Sequence, residues 1–106
     1  MSTWAYIYEH PGADPRADRT ALDRAGQRSI MVPVADASDA PEVARRLVEE
    51  DGVALIELCG GFSLGAAARV ADAVGHLVPV GHVTFAVDAV GPAAAYSASF
   101  AAEQEM

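Results

Sequence analysis

The stretch that most constrains the fold is an apolar run that passes through a glycine pair into a helical pattern. Val53–Cys59 is apolar except for the carboxylate of Glu57. Gly60 and Gly61 follow as a turn, and Ser63 precedes an alanine-rich segment with helical spacing. A strand that is apolar on both faces and leads into a helix is typical of a parallel sheet, which binds ligands beyond the carboxyl ends of its strands. The stretch therefore indicates an α/β fold and predicts that the protein binds a ligand at the carboxyl ends of its parallel strands.

The rest of the chain alternates between strand-like and helix-like segments. Period-two and short apolar runs predict four strands, over 3–9, 29–34, 53–59 and 78–85. Periodicity and capping signals predict four helices, over 15–25, 40–51, 64–74 and 92–103. This order predicts a single α/β domain, 1–106, with a small flavodoxin-like four-stranded parallel sheet in the order 2-1-3-4 and helices on both faces. Pro33 lacks a ladder donor, which favours a sheet edge for the second strand.

The composition disfavours some classes of binding partner but identifies none. The 106 residues carry a formal net charge of −8, which disfavours nucleic acid and anionic membrane surfaces as partners. One cysteine excludes an internal disulfide, and no secretion signal or spanning apolar run is visible, so we expect a cytoplasmic location. The fourth predicted strand has no proline inside it to protect a sheet edge, so a homo-oligomer is one expectation.

Three motifs resemble a family of small bacterial α/β proteins catalogued as a domain of unknown function. They are Trp-Ala-Tyr-Ile-Tyr-Glu-His-Pro-Gly-Ala-Asp-Pro at 4–15, Leu-Ile-Glu-Leu-Cys-Gly-Gly-Phe at 55–62 and Val-Pro-Val-Gly-His-Val-Thr-Phe at 78–85. The resemblance extends to about residue 86 and is poorest in the last helix. It implies a common fold and a common site, and it supplies no catalytic residue.

The candidate catalytic residues are Glu57 and His10. Glu57 lies inside a strand that is otherwise apolar, and a buried carboxylate must be paired, neutral or lining a cavity. His10 follows the first strand at the edge where ligands bind, and it could transfer a proton. The alternatives are a structural ion pair for Glu57 and a loop-fixing hydrogen bond for His10.

The candidate ligand-binding residues gather at the same predicted edge. They are Glu9, Cys59, Gly60, Gly61, Phe62, Ser63 and Thr84. The glycine pair and the start of the next helix could hold an anion with backbone N–H groups, although no lysine accompanies them as in a P-loop. The alternative is a tight turn that needs positive φ. No pair of residues has metal-ligand spacing, so we expect no metal and no cofactor.

Three functions remain open from the sequence. The first is a small-molecule enzyme of lyase, isomerase or hydrolase type, without tightly bound metal, acting in the crevice at the strand ends. The second is a non-catalytic binding module for a small anionic metabolite or nucleotide. The third is a structural subunit of a homo-oligomer. The fold alone does not rank them.

Overall fold

A mixed sheet and three helices make up the computed structural model, which describes residues 2–105. The strands are β1 (Ser2–Glu9), β2 (Thr20–Arg24), β3 (Gln27–Val34), β4 (Ile56–Leu58) and β5 (Val80–His82). The helices are α1 (Ala40–Asp51), α2 (Leu64–Ala73) and α3 (Val90–Gln104), with 3-10 turns at Ala37–Asp39 and Val87–Ala89. The α/β class predicted from the sequence is confirmed.

The sheet has five strands, in the order β2-β3-β1-β4-β5. Strand β1 pairs in parallel with β3 on one side and β4 on the other, and β4 pairs in parallel with β5. The four predicted strands therefore keep their predicted relative order. The prediction of a purely parallel four-stranded sheet is wrong, because β2 adds a fifth strand that runs antiparallel to β3.

The extra strand replaces the helix predicted over 15–25. Asp14 does cap a turn, since its Oδ1 accepts hydrogen bonds from the N–H groups of Arg16 and Ala17, both at 2.8 Å. The chain then extends and forms a hairpin with β3 through Ala25 and Gly26, whose φ values are 55° and 80°. Two positive φ values give the turn that suits the twist of a two-residue hairpin. Gly26, which directly follows the predicted helix, is the second residue of this turn.

Pro33 lies in an interior strand, so the predicted edge position for β3 is wrong. The carbonyl of Val34 accepts from the N–H of His10, which directs the backbone of Val34 toward β1. Backbone direction alternates along a strand, so Pro33 turns its missing donor toward β2. The last pair between β2 and β3 is Thr20 with Met31. The proline therefore lies just beyond that ladder and removes no hydrogen bond from it.

The core lies on one face of the sheet. Alternate residues of the strands are buried there, including Ala5, Ile7, Val32 and Leu58, and the buried side chains of α1 and α2 pack against them. The prediction of helices on both faces is wrong. We call the opposite face the open face. The side chains on it include the apolar and aromatic ones of Trp4, Tyr6, Tyr8, Leu22, Met31 and Leu55, and the polar ones of Ser2, Thr20, Arg24, Gln27, Ser29 and Glu57. These side chains are half-buried or exposed.

Helix α3 stands apart from this core. None of its residues is buried, whereas α1 and α2 both contribute buried side chains. Its presence confirms the helix predicted over 92–103. Of residues 2–105, no helix is both long enough and apolar enough to cross a membrane.

A matched pair of leucines tests where the core lies. Leu47 in α1 is 0% exposed and Leu64 in α2 is 78% exposed. Leu47→Ala removes packed methyl groups from the core, so we expect a loss of about 2–5 kcal/mol in the free energy of unfolding. Leu64→Ala changes an exposed side chain and should cost less than about 0.5 kcal/mol. Urea unfolding measures both, and equal losses would contradict this placement of the core.

Candidate functional site

A crevice opens where β1 and β4 end, beneath α3. Its volume is about 320 Å³. The wall combines a carboxylate, a thiol and a hydroxyl with apolar and aromatic groups, from Glu9, Pro11, Ala35, Cys59, Gly61, Tyr96, Ser97 and Phe100. This is the edge that the sequence predicts for a binding site.

Parallel pairing brings the polar groups of the crevice together. Glu9 ends β1 and Cys59 follows β4, and these two strands are parallel neighbours. The N–H of Cys59 donates to the carbonyl of Ile7 at 3.1 Å, which continues the ladder by one residue. The N–H of Phe62 then donates to the carbonyl of Cys59, also at 3.1 Å, and closes the turn. The turn holds the thiol at the carboxyl end of the sheet.

The glycine pair leaves space for two neighbouring side chains. A Cβ on Gly61 would lie 3.0 Å from Oε1 of Glu9 and 3.6 Å from Sγ of Cys59. A Cβ on Gly60 would lie 2.9 Å from Cε2 of Phe85. Neither glycine has a positive φ, so the alternative of a turn with positive φ is wrong. A side chain at residue 61 would enter the crevice and displace the carboxylate.

Glu9 is the group in the crevice whose ionisation is most affected by its surroundings. The residue is exposed in part, but its Oε1 is turned toward Gly61 and the crevice. Partial burial raises the pKa of the Glu9 carboxyl, and repulsion from the nearby Asp36 carboxylate raises it further. The protonated form of Glu9 is therefore more stable in the folded protein than in a free chain.

Helix α3 forms the roof of the crevice. Tyr96, Ser97 and Phe100 follow one another at helical spacing, so they share one side of the helix. The sequence predicts that Tyr96 and Phe100 lie on the same side, and both line the crevice. The sequence does not predict that α3 lies above the strand ends, because residues 83–89 contain no motif that indicates the direction in which the chain continues.

Glu57 lies away from this crevice, and the prediction that it is buried is wrong. It is exposed on the open face, paired in register with Tyr6 and Gly81. It lines a separate hollow near the amino end of β1, with Thr3, Trp4 and other residues. Its carboxylate raises the pKa of the Tyr6 hydroxyl, after the larger effects of burial and of Cys59. The strand predicted over 53–59 is apolar on both faces except for Glu57, but only one face of β4 is buried.

His10 lines a hollow that adjoins the crevice. The ring is exposed, and Nδ1 donates to the carbonyl of Pro11 at 3.1 Å. Tyr8 and Asp18 line the same hollow, and Pro11 lines both this hollow and the crevice. The two candidate catalytic residues, His10 and Glu57, thus line different cavities.

Of the remaining predicted site residues, two have structural roles and others line a further cavity. Phe62 is 3% exposed and belongs to the core. Ser63 caps α2, since its Oγ accepts from the N–H of Ala66 at 3.0 Å. Thr84 lines another hollow, together with Gly60, Phe85 and other residues. Of the predicted set, the crevice brings together Glu9, Cys59 and Gly61.

Five residues of the crevice were not predicted as site residues: Pro11, Ala35, Tyr96, Ser97 and Phe100. Pro11 and Ala35 follow the ends of β1 and β3, so the strand ends could have indicated them. Among residues 2–105, no three His, Cys, Asp or Glu side chains come together as they would to hold a metal ion.

Comparison with known proteins places the chain in a family. Searches of curated proteins and of solved structures found no match. A protein-family model, described as a family of unknown function (DUF6506), matches residues 2–98. The match extends past residue 86, where the resemblance read from the motifs ended, and it includes most of α3. Since it spans nearly the whole chain, the protein belongs to this family of unknown function.

Proposed function

We propose that the protein acts on a small molecule bound in the crevice between the strand ends and α3, with Glu9 as the proton-transfer group. The observation that carries the proposal is the carboxyl of Glu9 itself. It faces the crevice beside the Cys59 thiol, and its pKa is raised by partial burial and by Asp36. A carboxyl whose pKa moves toward neutrality is a better general acid and base at cellular pH.

The size and lining of the crevice favour a ligand of modest size. Its volume of about 320 Å³ is near the lower end of the range for small-molecule sites. The rings of Tyr96 and Phe100 supply apolar contact, and Ser97 supplies a hydroxyl. This combination suits a compact organic molecule with one apolar part and a group that donates a hydrogen bond to Glu9.

The charge at this edge favours a neutral or cationic ligand. Glu9 and Asp36 are both acidic, and no arginine or histidine lines the crevice. An anion would be repelled by these carboxylates at neutral pH. Proton transfer by one carboxyl fits a lyase, isomerase or hydrolase that needs no tightly bound metal.

A non-catalytic module that binds a small anion is the second candidate. In residues 2–105, the N–H groups of Gly60 and Gly61 have no hydrogen-bond partner. They precede the amino end of α2, where backbone N–H groups and the helix dipole attract negative charge. Under this alternative, Glu9 would be protonated or turned away when the ligand binds.

The crevice can be blocked without touching the core. Gly61→Leu places a side chain against Glu9, so we expect loss of ligand binding with the fold retained. Gly65→Leu is the matched control, because a Cβ on Gly65 meets nothing nearer than 3.7 Å. The measurement is the thermal shift of each variant against a panel of small amines, amides, alcohols and carboxylates. Native mass spectrometry of the purified wild type adds a search for a retained ligand.

Each outcome of this screen decides between the candidates. Binding of amines or amides that disappears in Gly61→Leu and remains in Gly65→Leu supports the crevice. Turnover of a bound compound that is lost in Glu9→Gln, with binding retained, supports the enzyme. Binding by carboxylates alone, undiminished in Glu9→Gln, supports the anion-binding module. Equal binding by both glycine variants would rule out the crevice as the site.

The raised pKa of Glu9 predicts a pH-dependent stability. A carboxyl whose pKa is higher in the folded state favours folding below its unfolded pKa of about 4.3, and this contribution is lost as the pH rises through the folded pKa. Glu9→Gln should therefore be more stable than the wild type at pH 7, and the difference should shrink toward pH 4. Urea unfolding at a series of pH values measures it.

Asp14→Asn is a control for which we expect the opposite change in stability at pH 7. The backbone N–H groups of Ala17 and Arg16 lower the pKa of the Asp14 carboxyl, so its charged form stabilises the fold. Asp14→Asn should be less stable than the wild type at pH 7, and that difference should shrink as the pH falls. A Glu9→Gln variant that loses stability at pH 7 would contradict the proposed environment of Glu9.

A further inference from the structure

The open face leaves a large part of the sheet without a covering layer. Leu22, Met31 and Leu55 are 60%, 37% and 38% exposed, and the rings of Trp4 and Tyr6 lie between them in register. Tyr6 and Tyr8 stack with their ring centroids 6.0 Å apart. A parallel sheet is normally covered on both faces, and monomers rarely expose an apolar patch of this extent.

Helix α3 has a second side that is also exposed to solvent. The residues opposite Tyr96 and Phe100 are Gly91, Ala95, Ala98 and Ala102, at spacings of four, three and four residues, and all are exposed. Residues 90–102 carry no charged side chain. A helix that is uncharged around its circumference usually lies between other elements of a protein. The side of α3 that carries Tyr96 and Phe100 lines the crevice, whereas the side that carries the small residues faces solvent.

The two surfaces match in length. The eight residues of β1 span about 26 Å and five strands span about 20 Å, so the open face covers on the order of 500 Å². The 15 residues of α3 form a rod about 22 Å long and about 10 Å wide, which adds on the order of 200 Å². Because the rod is narrower than the sheet, it covers on the order of 200 Å² of the partner's open face. Two reciprocal contacts therefore occupy on the order of 400 Å² of each copy, about half of the roughly 800 Å² that each partner buries in a standard-sized interface.

We propose that the protein forms a two-fold dimer in which α3 of each copy lies across the open face of the other. Each copy has one aromatic sheet face and one helix of matching length that its own core does not use. A second copy supplies both missing partners at once, and a two-fold axis makes the contact reciprocal. Small side chains let the helix approach closely, and the rings of Trp4, Tyr6 and Tyr8 fill the space beside them.

Charge favours this pairing over direct contact between two sheets. Glu57 lies on the open face beside Tyr6. Two open faces packed about a two-fold axis near Glu57 would bring the two copies of this carboxylate together, and like charges in an interface are costly. Residues 90–102 of α3 bring no charge to the same place.

Sedimentation velocity and the fluorescence of Trp4 test the dimer. We expect a mass twice the 11.0 kDa of one chain. Trp4 is the one tryptophan and lies on the open face, so its emission should shift to shorter wavelength as the concentration rises. Met31→Glu on the sheet and Ala98→Glu on α3 each place a charge in the interface, and each should weaken the dimer about 100-fold or more.

The controls separate loss of contact from loss of fold. Ala68→Glu adds the same charge to an exposed alanine of α2, on the other side of the sheet, and should leave the dimer intact. Glutamate is nearly as good a helix former as alanine, so neither helix variant should unfold. Circular dichroism checks the fold of every variant.

A mixing experiment tests the reciprocal geometry. A Met31→Glu copy keeps an intact α3, and an Ala98→Glu copy keeps an intact sheet face. Mixing the two variants rebuilds one intact helix-on-sheet contact, while the other contact carries both glutamates. At concentrations where each variant alone is monomeric, the mixture should therefore form heterodimers that bind more weakly than the wild-type dimer.

Three results would overturn the proposal. One is a wild-type chain that stays monomeric at all concentrations. Another is a dimer that Met31→Glu disrupts and Ala98→Glu does not, which would indicate contact between two sheets. The third is a dimer that survives both variants. Failure of the crevice screen leaves these outcomes unaffected, because none of the substituted residues lines the crevice.

Discussion

The structure depends on the pairing of β1 with two parallel neighbours. Hydrogen bonds to β3 and β4 fix β1 in the middle of the sheet, and its alternation then assigns every other residue to one of two environments. Ala5 and Ile7 face the helices and are fully buried, whereas Trp4, Tyr6 and Tyr8 face away from them. A slip of one residue in this register would exchange the two sets. The same pairing delivers Glu9 and Cys59 to one edge, so the crevice is a result of strand register.

Much of the fold could be predicted because its signals are local. The end of α1 at Asp51, the start of α2 after Ser63 and the order of the four parallel strands follow from periodicity, capping and the rules of parallel connections. The hairpin strand β2 could not be predicted in the same way. Its five residues are all exposed, and its stability comes from pairing with β3, which a local pattern does not record. The turn at Ala25 places an alanine where glycine or asparagine is usual, so the common hairpin signature is missing as well.

The crevice lies at the edge of the sheet where the sequence predicts a binding site, whereas Glu57, the main carboxylate of that prediction, lies away from it on the open face. An apolar strand predicts that Glu57 is buried, but burial depends on whether a second layer covers that face, and no helix within residues 2–105 does so. Glu9 was predicted as a ligand-binding residue from its place at a strand end. The raised pKa of the Glu9 carboxyl comes from partial burial and, to a smaller extent, from the Asp36 carboxylate, which is distant in sequence and meets Glu9 only in the folded chain. Tyr96 and Phe100 join them from a helix whose direction the sequence leaves open.

Because α3 has no buried residue, it should unfold locally before the rest of the chain does. A helix that buries no side chain in its own core contributes little to global unfolding, so in an isolated copy it can open at a small cost in free energy while the sheet, α1 and α2 remain folded. Backbone amides of α3 would then exchange with solvent far faster than those around Leu47. The roof of the crevice would move on a timescale of its own, and the lifetime of a bound molecule would depend on how often that helix lifts.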